Sequence, residues 1–147
     1  MAYHIYISNS GSEFFSHFLM DEDSGALSPQ ADIALAGSPG AVATNPDGSI
    51  MFAALRSAKQ LVSYSVDKSS GQLTTIGGVV LEEGPPYLAT DNTCSYLLSS
   101  YYGSGYAGVH RINDDGTLSE EPLQMVQTDG HAHSIQTDRS NRFVFVP

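Results

Sequence analysis

The residues best suited to chemistry are two histidines one position apart, His131 and His133, in Gly130-His131-Ala132-His133. An imidazole titrates near neutral pH, so either ring can take a proton from an attacking water or give one to a leaving oxygen. Residues i and i+2 of a strand face the same way, so a strand through both histidines would aim both rings at one ligand. The same residues also suit a structural role, hydrogen bonding to neighbouring loops. An HxH pair can also open a metal site; Asp129 is near, but no further ligand cluster follows, and no metal or cofactor is expected. Arg56 offers either a guanidinium fork for a carboxylate or phosphate or a solvated loop charge. Tyr101, in Tyr101-Tyr102-Gly103-Ser104-Gly105, is a candidate aromatic wall for the same ligand. It occupies the slot of Leu55 in the preceding repeat, which favours packing as its role.

Other features carry less. Ser134 adjoins His133, but consecutive strand residues point to opposite faces, so the two do not form a nucleophile–base pair. Asp21-Glu22-Asp23 and Asp114-Asp115 lack the twelve-residue pattern of an EF-hand calcium loop and read as solvated turns. Gly103-Ser104-Gly105 is not followed by the Lys-Ser/Thr pair and helix of a phosphate loop.

The elements that must position these residues come from an internal repeat. Ser24-Gly25-Ala26-Leu27, Ser70-Gly71-Gln72-Leu73 and Asp115-Gly116-Thr117-Leu118 place their leucines 46 and 45 residues apart. Two further series keep the same phase. One starts at Ala43-Thr44-Asn45, Ala89-Thr90-Asp91 and Gln136-Thr137-Asp138; the other comprises Ser38-Pro39-Gly40, Gly84-Pro85-Pro86 and His131-Ala132-His133. Within a repeat, residues 40–44, 49–55, 60–66 and 73–81 read as strands, with Gly77-Gly78 bending the last. Four antiparallel strands per unit of roughly 40–50 residues describe the blade of a β-propeller. The expected fold is therefore all-β, a single partial propeller domain over 1–147, with blade repeats of about 1–37, 38–83, 84–130 and an incomplete 131–147. The chain is expected to start on the second strand of a blade and to be the N-terminal part of a longer ring; self-association through the open blade edges is the other way to close it.

Blade topology sorts the loops onto two ends of the ring. With strands lettered a to d from the axis outwards, loops leading into a and joining b to c share one end. That end collects Arg56, Lys59, Tyr101 and the two histidines. The other end collects Asp21, Asp47, Asp67 and Asp115; Glu82, Glu83 and Asp129 are acidic exceptions on the first. The chain carries 6 Lys+Arg against 16 Asp+Glu, a net charge of −10, so no nucleic-acid or anionic-membrane partner is expected. Its single cysteine, Cys94, excludes an internal disulfide. The start shows no signal-peptide pattern and no apolar run is long enough to span a bilayer, so a cytoplasmic protein is expected.

The stretch Tyr6-Ile7-Ser8-Asn9, with Ser24-Gly25-Ala26-Leu27, Ser38-Pro39 and Asn45-Pro46-Asp47-Gly48, resembles the lactonase family of seven-bladed β-propellers. The most specific segment is His131-Ala132-His133-Ser134-Ile135-Gln136-Thr137-Asp138, continuing through Asn141-Arg142-Phe143-Val144-Phe145-Val146-Pro147. The resemblance implies about three four-stranded blades plus a stub of a seven-bladed ring. It also implies a cleft on one end holding a catalytic His, which matches His133, and Arg or Glu residues from later blades. The implied reaction is hydrolysis of a sugar-acid lactone, as in propeller-type 6-phosphogluconolactonases, without a cofactor. The alternatives are a carboxy-cis,cis-muconate cyclase-like isomerase and a non-catalytic scaffold. Either reaction takes a small anionic lactone or carboxylate.

Overall fold

The computed structural model describes residues 2–147; Met1, the first position of the first expected repeat, lies outside them. Fourteen strands and no helix are found among the described residues. The first sheet holds β1 (Ala2–Ser8), β2 (Phe14–Asp21) and an outer strand broken into β3 (Leu27–Pro29) and β4 (Ile33–Ala34), both paired to β2. The break falls after Pro29 without being made by its missing N–H, since the Gln30 N–H still donates to the His17 carbonyl at 2.8 Å. The second sheet runs β5 (Pro39–Thr44), β6 (Ile50–Leu55), β7 (Gln60–Val66) and β8 (Leu73–Val80) in consecutive antiparallel order. The third repeats it with β9 (Tyr87–Thr90), β10 (Tyr96–Tyr101), β11 (Tyr106–Arg111) and β12 (Gln124–Gln127). Last come β13 (Gln136–Thr137) and β14 (Val144–Phe145), a two-stranded ladder. This is an all-β propeller fragment of three blades and a stub, starting on a second strand as the sequence predicts. The bend expected at Gly77-Gly78 is a bulge: Tyr64 pairs with Thr75 but Ser63 with Gly77, leaving Ile76 extra.

The sheets stack face to face, and each inner strand feeds two seams. On β6, Met51, Ala53 and Leu55 pack against Phe15 and Ile33 of the first sheet. The alternate residues Phe52 and Ala54 pack against Leu88, Leu97, Ile112 and Leu118 of the third. That is why this strand reads as a continuous apolar run rather than an alternating one. Phe52 and Leu97 are 0 % exposed. The third seam is smaller, with Leu98 and Ala107 against Ile135.

The repeated Ser-Gly-x-Leu landmark is the turn between the two outer strands of a blade. Its glycine is left-handed each time, with φ of 70° at Gly25, 72° at Gly71 and 83° at Gly116. Each such glycine in the second and third blades presses into the blade before it. A Cβ at Gly116 would stand 2.8 Å from Ile50 Cδ1, whereas one at Gly71 would collide with the imidazoles of His4 and His17. Those two rings share a hydrogen bond of 2.9 Å, His17 stacks on Tyr6 with centroids 5.2 Å apart, and the Tyr6 hydroxyl donates to the Gly71 carbonyl at 2.8 Å. Burial, and then the charge of His4, lower the His17 pKa below the usual imidazole value.

Candidate active site

The histidines are held by the loop that joins β10 to β11. The His131 N–H donates to the Tyr102 carbonyl at 3.0 Å, and the Tyr102 ring lies 4.5 Å from the His131 ring and 5.8 Å, edge-on, from that of His133. The expectation of a strand through both histidines is not met. β13 starts only at Gln136, and His131 is left-handed at φ 77°. Both rings nevertheless reach one place, because each meets Tyr102. The His133 N–H donates to the Pro147 carbonyl at 3.1 Å, which ties the segment to the end of the stub blade. Both histidines are exposed, and Tyr102 is 46 % exposed, so the cluster is open to a ligand.

The loop carrying Tyr102 is itself anchored. Glu83, in the linker before β9, accepts the N–H groups of Gly103 at 2.9 Å and Ser104 at 3.1 Å. Burial works against the Glu83 charge, but the hydrogen bonds from Ser104 and Gly103 outweigh it and lower its pKa. Turn closure adds Gly105 N–H to the Tyr101 carbonyl at 3.1 Å. Sequence reasoning noted Glu83 only as an exception to the charge pattern. It also favoured Tyr101 over Tyr102, the residue that gathers the imidazoles. Tyr101 is 4 % exposed in the seam between the second and third sheets, its hydroxyl accepting from Ser99 Oγ at 3.2 Å. The match to the Leu55 slot was the signal that pointed there.

Arg56 lies one blade over on the same end. Its N–H donates to the Ser38 carbonyl at 2.7 Å. Its stem crosses two glycines: a Cβ at Gly40 would stand 2.8 Å from Arg56 Cδ, and one at Gly84 would stand 3.6 Å from Cγ. A side chain at Gly40 would displace the stem, whereas one at Gly84 would meet it at ordinary contact distance. The side chain is exposed, and its guanidinium has no hydrogen-bond or ion-pair partner among the described residues.

The opposite end is acidic and closed on itself. Asp67 is held down to about 2 by the side chain and N–H of Ser69, and Asp138 to about 2 by the Ser140 hydroxyl and the N–H of Phe143. Asp91 is buried and accepts the N–H groups of Thr93, Ser95 and Tyr96 together with Asn141 Nδ2 at 2.8 Å. Lys68 pairs with Asp47 at 3.1 Å. These carboxylates cap turns. The surface that offers imidazole, phenol and an unpaired guanidinium is the other one.

Residues 4–147 match the family described as Lactonase, 7-bladed beta-propeller. The 6-phosphogluconolactonase of Xenorhabdus nematophila is 30 % identical over 123 residues, which cover 84 % of this chain and 37 % of that protein. The 6-phosphogluconolactonase of Bacillus subtilis is 28 % identical over 132 residues, covering 88 % of this chain and 38 % of that one. The solved periplasmic gluconolactonase of Pseudomonas aeruginosa superposes with a TM-score of 0.89 at 21 % identity, over 100 % of this chain and 47 % of that one, a likeness of fold. The chain thus spans about two fifths of the length of these curated relatives. No helix among the described residues is long and apolar enough to cross a membrane.

Proposed function

This chain belongs to the lactonase family of seven-bladed β-propellers, and from that premise we propose that it serves the hydrolysis of a sugar-acid lactone of the 6-phosphogluconolactone kind. The observation that carries the reading is the meeting of His131 and His133 at Tyr102, on the end of the ring that also bears the unpaired Arg56. In this reading His133 takes the proton of a water as its oxygen attacks the ester carbonyl, then returns it to the alkoxide leaving from the ring. One such general acid–base contributes roughly 10²–10⁴-fold. His131 and Tyr102 orient that imidazole and wall the substrate. Arg56 holds the substrate's phosphate or carboxylate through its guanidinium fork.

The test is steady-state hydrolysis of 6-phosphogluconolactone by the protein and by three variants. His133→Ala is expected to lower kcat by about 10²-fold or more. Arg56→Ala is expected chiefly to raise KM. Tyr101→Phe, which changes only a seam hydroxyl, is expected to leave both constants unchanged. An unaltered kcat/KM in His133→Ala would remove that residue from the reaction. Carboxy-cis,cis-muconate given to the same preparations decides the isomerase alternative, since its lactonisation would consume no water.

A further inference from the structure

The linker Leu81-Glu82-Glu83-Gly84-Pro85-Pro86 carries the chain from β8 to β9, on the end of the ring that bears Arg56 and the histidines. It is stiff. The Leu81 N–H donates to the Lys59 carbonyl at 2.8 Å, both prolines have a fixed φ, and Pro85 is fully buried. Two neighbouring residues of this linker meet the two halves of the proposed site. Gly84 sits beside Arg56, where a Cβ would meet the Arg56 Cα at 3.4 Å. Glu83 reaches the third blade, its Oε1 accepting the Gly103 N–H at 2.9 Å and its Oε2 the Ser104 N–H at 3.1 Å. Each carboxylate oxygen is thus taken by one N–H of the loop. A bare Gly103 is a condition of that approach, since a Cβ there would stand 2.8 Å from Glu83 Oε1.

The loop that Glu83 grips fixes the histidine segment at two points. On one side of the grip the Tyr102 carbonyl accepts the His131 N–H at 3.0 Å, and on the other the Gly105 carbonyl accepts the Thr128 N–H at 2.8 Å. Gly105 is left-handed, with φ of 69°, and lies so close to the segment that a Cβ would stand 3.0 Å from the Asp129 carbonyl oxygen. The Tyr102 ring, carried by the same loop, then meets both imidazoles. A continuous path of hydrogen bonds and ring contacts therefore runs from the Glu83 carboxylate to the histidines, while its neighbour Gly84 abuts Arg56.

We infer that Glu83 is a positioning residue, whose two-pronged hold on Gly103 and Ser104 keeps the imidazoles of His131 and His133 in register with Arg56. The kinetic consequence rests on the lactonase reading; the structural one rests on the hydrogen bonds alone.

Glu83→Gln tests it. The carboxamide accepts through a single oxygen and its NH₂ would face the second N–H, so the hold is lost at nearly constant size. Gly103→Ala reaches the same end from the loop side by displacing the carboxylate, and Gly103 lies outside the left-handed region, so the alanine backbone is unstrained. In both variants the imidazole proton resonances of His131 are expected to move, because the Tyr102 ring stands 4.5 Å from them in the intact protein. In hydrolysis of 6-phosphogluconolactone kcat is expected to fall about 10-fold or more, with KM, governed by Arg56, changed less than about 2-fold. Glu82→Gln removes the same charge at the exposed neighbouring position and is expected to leave the resonances and both constants as they are. The proposal is overturned by unmoved His131 resonances in Glu83→Gln and Gly103→Ala, by an undiminished kcat in either, or by equal effects from Glu82→Gln. Moved resonances in a protein that does not hydrolyse the lactone would instead remove the lactonase reading and leave the hold of Glu83 in place.

Discussion

Adding a single methyl group at Gly71 probes how the first two blades are joined. A left-handed alanine costs about 1–2 kcal/mol for its backbone alone. Gly25→Ala isolates that cost, because Gly25 has a φ of 70° and nothing within 4 Å of a Cβ placed there. Gly71 has nearly the same φ, 72°, but its Cβ would collide with His4 Nδ1 and lie 2.6 Å from His17 Nε2. The rings must part, breaking the His4–His17 hydrogen bond and displacing the Tyr6 hydroxyl from the Gly71 carbonyl. Each bond contributes about 0.5–1.5 kcal/mol, so with the backbone cost Gly71→Ala should lose about 2–5 kcal/mol. Urea unfolding followed by tyrosine fluorescence measures both variants, with equal m-values as the check that the same transition is observed. Losses that agree within about 0.5 kcal/mol would refute the reasoning, because the His–Tyr contact would then add nothing to the seam.

Three further outcomes follow from the same structure. Because the folded pKa of His17 is depressed, its stabilising contribution is complete above the ordinary imidazole value of 6.5 and declines as pH falls below it towards the folded value. Urea midpoints should therefore drop between pH 7.5 and 5.5, roughly a decade either side of that value, and His17→Gln should flatten the dependence. Asp91→Ala orphans the N–H groups of Thr93, Ser95 and Tyr96 and the amide of Asn141, and should cost about 2–4 kcal/mol in the same assay. Ser100→Ala should be neutral or stabilising by up to about 1 kcal/mol, since its buried Oγ has no partner among the described residues; a lowered Tm would show that the hydroxyl is satisfied after all.

The architecture was legible because a propeller writes its period into turn residues. The glycines of Ser-Gly-x-Leu are left-handed in every copy, and the unbroken apolar run of β6 follows from burial on two faces. Contacts between repeats left weaker traces. Nothing local announces that His4 and His17 close on a glycine more than fifty residues away, or that Glu83 grips the turn at Gly103 and Ser104. The histidine segment was identifiable by type and spacing, but its route was misjudged. Strand periodicity does not apply to His131, whose positive φ brings its ring against Tyr102. The split of the outer strand in the first sheet is not written in Pro29, because the ladder passes it through the Gln30 N–H to the His17 carbonyl.

The segregation of charge between the two ends has a kinetic consequence. At a net charge of −10 the far field of the molecule is repulsive to any approaching anion, while Arg56 acts only at close range. Ions in solution shorten the reach of that repulsion to roughly 8 Å at physiological strength but barely touch a guanidinium already in contact. Capture of a negatively charged molecule at the histidine face should accordingly quicken as sodium chloride is raised from millimolar levels. A protein that draws its anions in from afar would show the reverse.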